Sequence, residues 1–264
     1  MKPSLAFLLI LSSLFSGCQK FVDLVHRHED RNRIPCKITR TFYEDSLNKT
    51  SADFHYNAEG YPISIDYSDF ELYIPHPEDP VPDSLPILTE FTVHYNYDAQ
   101  KRLINETSDF FYAQRLRHFA YEGNAKLPVR DSFPGAAGDE YVEDLEYDFL
   151  NRITKVTLRI TAHGPIEEFP TQVRKYFYDI RGNRQEDPSN PDYHGEIIYN
   201  NKPSLYSLHP VWQLVHKDFS KNSVDYGATY NSKGLPLTIK REPVPYFQLF
   251  VGVARGVEIT YECD

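Results

Sequence analysis

Tyr97-Asp98-Ala99-Gln100-Lys101-Arg102-Leu103 decides the fold, because the same seven-residue phrase returns along the chain. Upstream it reads Tyr56-Asn57-Ala58-Glu59-Gly60-Tyr61-Pro62. Downstream it reads Tyr147-Asp148-Phe149-Leu150-Asn151-Arg152-Ile153, Tyr178-Asp179-Ile180-Arg181-Gly182-Asn183-Arg184 and Tyr230-Asn231-Ser232-Lys233-Gly234-Leu235-Pro236. Degraded copies begin at Tyr121 and Tyr199. A recurring unit sets the architecture before any single residue does.

The phrase reads as a hairpin turn with its two flanking strands. Asp or Asn after the Tyr accepts a hydrogen bond from the backbone two residues on, which suits the start of a type I turn. Gly or Asn three positions later tolerates the positive φ that follows such a turn. Lys101 holds that position in the second copy and fits it less well.

Outside the turns the apolar period is two. Phe91, Val93, Tyr95 and Tyr97 share one face, as do Ile63, Ile65 and Tyr67, and Leu235, Leu237 and Ile239. Val156, Leu158 and Ile160 alternate with Thr157 and Arg159, with Ile153 in the same apolar role. Alternation with one wet face marks antiparallel sheet. Seven hairpins with a first and a last strand predict an all-β chain. It is a single antiparallel meander of about fifteen strands, strongly curved or barrel-like, with at most one short helix. Alternation fails near Ser207–Val215, which is where the helix is expected, and the Pro-rich stretch Ile74–Asp83 reads as a loop at the sheet margin.

The N-terminal residues read differently. Lys2 precedes an apolar run from Leu5 to Leu11, the pattern of a secretory signal over residues 1–17. Residues 18–33 carry the charged run His26–Arg33 and read as a solvated tether, leaving residues 34–264 for the meander. His26 and His28 sit close enough to suggest a metal pair, but the tether offers no distant ligand. Charge is 28 − 38 = −10 overall, which argues against a nucleic-acid partner. Cys36 opens the first strand and Cys263 ends the last. If those strands are neighbours the two sulfurs meet, and closing so long a loop stabilises by roughly 4–5 kcal/mol; otherwise they are buried thiols.

Leu14-Phe15-Ser16-Gly17-Cys18 resembles the lipobox of bacterial lipoproteins. The resemblance implies cleavage before Cys18, diacylglyceryl attachment to its sulfur and an outer-membrane anchor. The repeated phrase resembles the YD repeat of Rhs-type proteins. It is more similar to bacterial lipoproteins of unknown function that carry YD-like repeats, an Asn-Lys-Pro segment followed by Trp, and a closing strand with Cys. Here those are Asn201-Lys202-Pro203, Trp212 and Cys263. A β-rich, envelope-associated domain is implied. The chain is far too short to wrap cargo as Rhs shells do, so no toxin role follows.

Chemistry is thinly marked. The chain lacks G-x-S-x-G, H-E-x-x-H, the P-loop pattern and C-x-x-C. His55 and His94 fall on the wet face of their strands. Asp139, Glu140, Glu143 and Asp144 follow Gly135–Gly138 and suggest an acidic, calcium-type loop, though such runs are usually solvated. Trp212, Tyr95 and Tyr97 are the candidate ligand surface, with a sheet core as their other reading. No catalytic residue, metal site or cofactor is expected. The reading is a non-enzymatic, membrane-anchored interaction or structural module. The alternatives are a carrier of a glycan or lipid in a curved-sheet cavity, and a glycan hydrolase.

Overall fold

The computed structural model describes residues 35–44, 49–72, 87–109, 115–134, 139–161, 170–191, 193, 195–224, 228–239 and 257–263. Cys18, His26, His28 and the Pro-rich stretch lie outside the described residues.

The strands are β1 (Cys36–Glu44), β2 (Lys49–Tyr56), β3 (Pro62–Leu72), β4 (Ile87–Tyr97), β5 (Leu103–Ser108) and β6 (Arg115–Ala120). They continue with β7 (Arg130–Pro134), β8 (Glu140–Tyr147), β9 (Ile153–Thr161), β10 (Gln172–Tyr178) and β11 (Arg184–Glu186). After them come β12 (Tyr199–Pro203), β13 (Asn222–Val224), β14 (Thr229–Tyr230), β15 (Pro236–Ile239) and β16 (Val257–Cys263). A 3-10 turn at Leu205–Leu208 and helix α1 (Pro210–His216) lie between β12 and β13, where alternation fails. All but two strands form one antiparallel sheet in the order β11 to β1, then β16, β15 and β14; β12 and β13 pair separately.

The turns close as their chemistry demands. Asp98 Oδ1 accepts from the N–H groups of Gln100 and Arg102, at 2.8 and 2.9 Å. Lys101 N–H donates to Asp98 O, and Asp98 N–H to Arg102 O. Asn57, Asp148, Asp179 and Asn231 repeat the arrangement. The fourth turn residue is left-handed in all five full copies: φ is 87° at Gly60, 63° at Lys101, 62° at Asn151, 85° at Gly182 and 81° at Gly234.

One expectation is corrected here. Ile63 and Leu237, placed inward by simple alternation, are exposed. The ladder slips at the repeat tyrosine: at Tyr56 between β2 and β3, at Tyr97 between β4 and β5, at Tyr147 between β8 and β9, and at Tyr230 between β14 and β15. A bulge adds one residue to one strand, so the first two inward residues stand three apart rather than two. The inward pairs are Pro62 with Ile65, Leu103 with Glu106, Ile153 with Val156 and Pro236 with Ile239.

The repeat tyrosines tie neighbouring turns together. The hydroxyls of five of the seven repeat tyrosines, and of Tyr261 in the last strand, each donate to a carbonyl in the preceding hairpin. The pairs are Tyr97 to Pro62, Tyr121 to Leu103, Tyr147 to Pro128, Tyr178 to Ile153, Tyr199 to Arg184 and Tyr261 to Pro236, at 2.6–3.0 Å. Where the turn is well formed, the acceptor opens the outgoing strand of the previous copy. Burial holds the repeat phenols Tyr97, Tyr147 and Tyr178 above the ordinary tyrosine pKa, so they remain donors.

β1 lies beside β16, with Cys36 opposite Cys263, and a disulfide joins them. Among the described residues no ladder joins the two edge strands, β11 and β14. The small sheet touches both. Asn222 N–H donates to Asn183 Oδ1 and Arg184 N–H to Ser220 Oγ on one side. Asn200 Nδ2 donates to the Tyr230 hydroxyl on the other, where Pro203 lies against Gly234.

Candidate functional site

Helix α1 lies against the inner face of the sheet. His209 caps its N-terminus, its Nδ1 accepting from Val211 N–H, and Pro210 stands where a missing N–H does no harm. Trp212 is 1% exposed and meets Phe54 and Tyr95 edge-on, with centroids 5.7 and 5.4 Å away. Tyr95 is buried as well, and the Tyr97 hydroxyl is engaged by Pro62. The structure thus brings Trp212 and Tyr95 together with their faces covered by protein, while Tyr97 joins the hydroxyl ladder along the turns.

Beside them lies a group that sequence reading passed over. Four consecutive strands each contribute one ionisable side chain to the inner face: Glu106 on β5, Arg117 on β6, Asp131 on β7 and Glu143 on β8. Register places Glu106 opposite Arg117 and Asp131 opposite Glu143. Lys217, just past α1, completes the cluster. Its left-handed backbone, φ 51°, ends the helix, with its N–H shared between Gln213 O and Leu214 O. Its Nζ lies 2.7 Å from Asp131 Oδ2 and 2.6 Å from Glu143 Oε2. Arg117 is 3.3 Å from Asp131 and 3.7 Å from Glu106.

Arg117 and a second arginine, Arg184, satisfy the end of the helix. Arg117 Nη1 donates to Val215 O at 2.5 Å, and Arg184 Nη1 to Lys217 O at 2.7 Å. Terminal carbonyls lack partners within the helix, and guanidinium groups are good substitutes.

Asp131 is 0% exposed, Glu143 5% and Glu106 6%. Burial raises the Glu106 carboxyl above the usual range, with Arg117 opposing and Asp131 adding to the rise; Tyr95 donates to it. Arg117 stays charged, because Asp131, Glu106 and Glu143 outweigh its desolvation. His216, beside this group and stacked on Tyr206 at 4.3 Å, is pulled down to about 3 by burial and then by Arg117 and Lys217. Three carboxylates and two cations sum to a formal −3 + 2 = −1. So little exposure leaves these acids facing protein. Chemically the cluster is a clamp that fixes the end of α1 to the sheet.

The acidic-loop expectation is corrected. Glu140–Tyr147 is strand, so Glu143 and Asp144 point to opposite faces. Glu143 binds Lys217 inside, whereas Asp144 pairs with Arg130 and Arg159 outside. The four acids therefore do not converge. Gly135–Gly138 lie outside the described residues. His55 and His94 are exposed, and His55 Nε2 is 2.8 Å from Asp66 Oδ2.

Glu106 carried a signal that went unread. It stands tenth in its repeat, where three of the four other full copies have Ile65, Val156 and Ile239; the fourth has Asp187, which accepts from Ser189 N–H in a turn. A charged residue at an apolar repeat position announces a buried partner. Arg117, Asp131 and Lys217 carry no such mark.

No family model matches the chain, and no curated protein matches it. Among solved structures it is similar to a porin-like protein from Bacteroides uniformis, at 13% identity over 87% of this chain and 98% of that one, with a TM-score of 0.48. It is also similar to a structure described as TcdB2-TccC3-Cdc42, at 14% identity over 76% of this chain and 15% of that one, with a TM-score of 0.19.

Proposed function

We propose that this chain is a lipid-anchored envelope protein whose meander is a non-enzymatic structural or interaction module. The anchor reading rests on Leu14–Cys18 and its lipobox resemblance. The observation that carries the module reading is where the conspicuous residues are spent. The repeat Asp and Asn side chains hold turns, the repeat hydroxyls hold neighbouring hairpins, and the buried acids hold α1. Trp212 and Tyr95 fill the inner face that a carrier would keep open, which favours the module over the glycan or lipid carrier.

The test is mass spectrometry of the membrane fraction from cells expressing the full chain, beside a hydrolysis assay on envelope glycans. A lipid-modified peptide beginning at Cys18, lost in C18A, with no glycan cleavage, is the expected result. An unmodified Cys18 overturns the anchor. Glycan cleavage abolished by one carboxylate substitution overturns the module.

A further inference from the structure

The repeat turns all lie on one rim. Neighbouring strands are antiparallel throughout, so β2, β4, β8, β10 and β14 end at the same edge. Cys36 is on that rim too. β1 runs against β2, and Lys37 Nζ stands over the Tyr56 ring at 5.6 Å. Lys37 also approaches Gly60 in the first turn. The chain leading from Cys18 thus enters the domain among the repeat turns. Those 36 − 18 = 18 residues reach about 60 Å at most when fully extended.

Two turns of this rim present large apolar side chains to solvent. Phe149 is 71% exposed and Ile180 104%. Both hold the third repeat position, where other copies have Ala58, Ala99 and Ser232. Turn formation does not demand them, because the Asp side chains already close these turns. The β8–β9 and β10–β11 hairpins are neighbours in the sheet, so the two tips stand roughly 10 Å apart, two strand spacings. An exposed Phe beside an exposed Ile on the rim where an acylated tether enters is the arrangement of an interfacial foot. Aromatic and aliphatic tips of this kind sink to the headgroup–acyl boundary.

We propose that the repeat-turn rim faces the bilayer and that Phe149 and Ile180 insert into its interface, fixing the domain's orientation on the membrane. This rests on the lipid-anchor reading of Cys18.

The full chain carrying F149W, purified from membranes, is reconstituted into vesicles of phosphatidylethanolamine and phosphatidylglycerol with brominated acyl chains. Wild type supplies the background from buried Trp212, and E90W supplies an exposed control far along β4 from the rim. Mass spectrometry of the same samples reads the lipid on Cys18. Loss of the F149W emission, with E90W unquenched and F149W quenching reduced by I180D, is the expected result. A lipidated protein whose F149W indole is unquenched overturns the orientation alone. A protein without lipid on Cys18 overturns the anchor reading and this inference with it.

Discussion

The Tyr178 hydroxyl donates a 3.0 Å hydrogen bond to the carbonyl oxygen of Ile153, 25 residues earlier. The bond joins two turns that share no residues, so it couples hairpins rather than stabilising one. Y178F removes the donor and leaves the carbonyl in a half-buried place. The expected cost is about 0.5–1.5 kcal/mol, read as a lower urea midpoint with an unchanged slope. An unchanged midpoint would show the bond to be incidental.

The turns make a prediction with two signs. D148A removes an acceptor of two backbone N–H groups and the partner of Arg152, and should cost about 1–3 kcal/mol. K101G relieves a left-handed lysine, worth about 1–2 kcal/mol, against about 0.4–1 kcal/mol of added freedom in the unfolded chain. K101G should therefore melt slightly higher than wild type. N151G should be near neutral, because Asn already tolerates that backbone. A K101G protein that melts lower would contradict the turn assignment.

Much of this fold is legible in the sequence. Asp98, Gly60 and Gly234 announce the turns by chemistry that works over four residues. Among the described residues, sixteen strands stand close to the fifteen expected, and Cys36 and Cys263 mark the meeting of first and last strands. What fails is what a local pattern cannot hold. The slip at Tyr56 and Tyr230 is a property of two strands together, and it exposes Ile63 and Leu237 against simple alternation. The clamp draws on four strands and a helix end. Arg117 and Lys217 are 100 residues apart in sequence, so only the folded sheet shows that both pair with Asp131.

Lys217 is the cation that lies closest to the buried carboxylates. K217M leaves Asp131 and Glu143 buried without their nearest cation. Breaking a buried pair from one side costs about 3–5 kcal/mol. The D131N/K217M double variant should recover part of that loss, because the stranded charge goes with its partner. Urea melts of both variants, with wild type, measure the difference. A double variant no better than K217M would argue against a direct pair.

The clamp also predicts acid sensitivity. His216 has its pKa lowered from 6.5 to about 3, so its contribution is complete above 6.5 and is lost as pH falls toward 3. Glu106 has the opposite sign: its pKa is raised from 4.5, so its contribution is present below 4.5 and lost as pH rises. Between 6.5 and 4.5 the falling limb belongs to His216. H216F keeps the stack on Tyr206 and should flatten that limb in melts at stepped pH. A limb of unchanged slope would assign the acid sensitivity elsewhere.

The central claim is that the repeat tyrosines are scaffold, acting through hydroxyl bonds between hairpins. Equilibrium urea unfolding of the Y97F/Y147F/Y178F triple variant tests it most directly. The acceptors Pro62, Pro128 and Ile153 lie on separate hairpins. The losses should therefore add to about 1.5–4.5 kcal/mol in a single cooperative transition. A triple variant as stable as wild type would contradict the claim and return the tyrosines to the search for a binding surface.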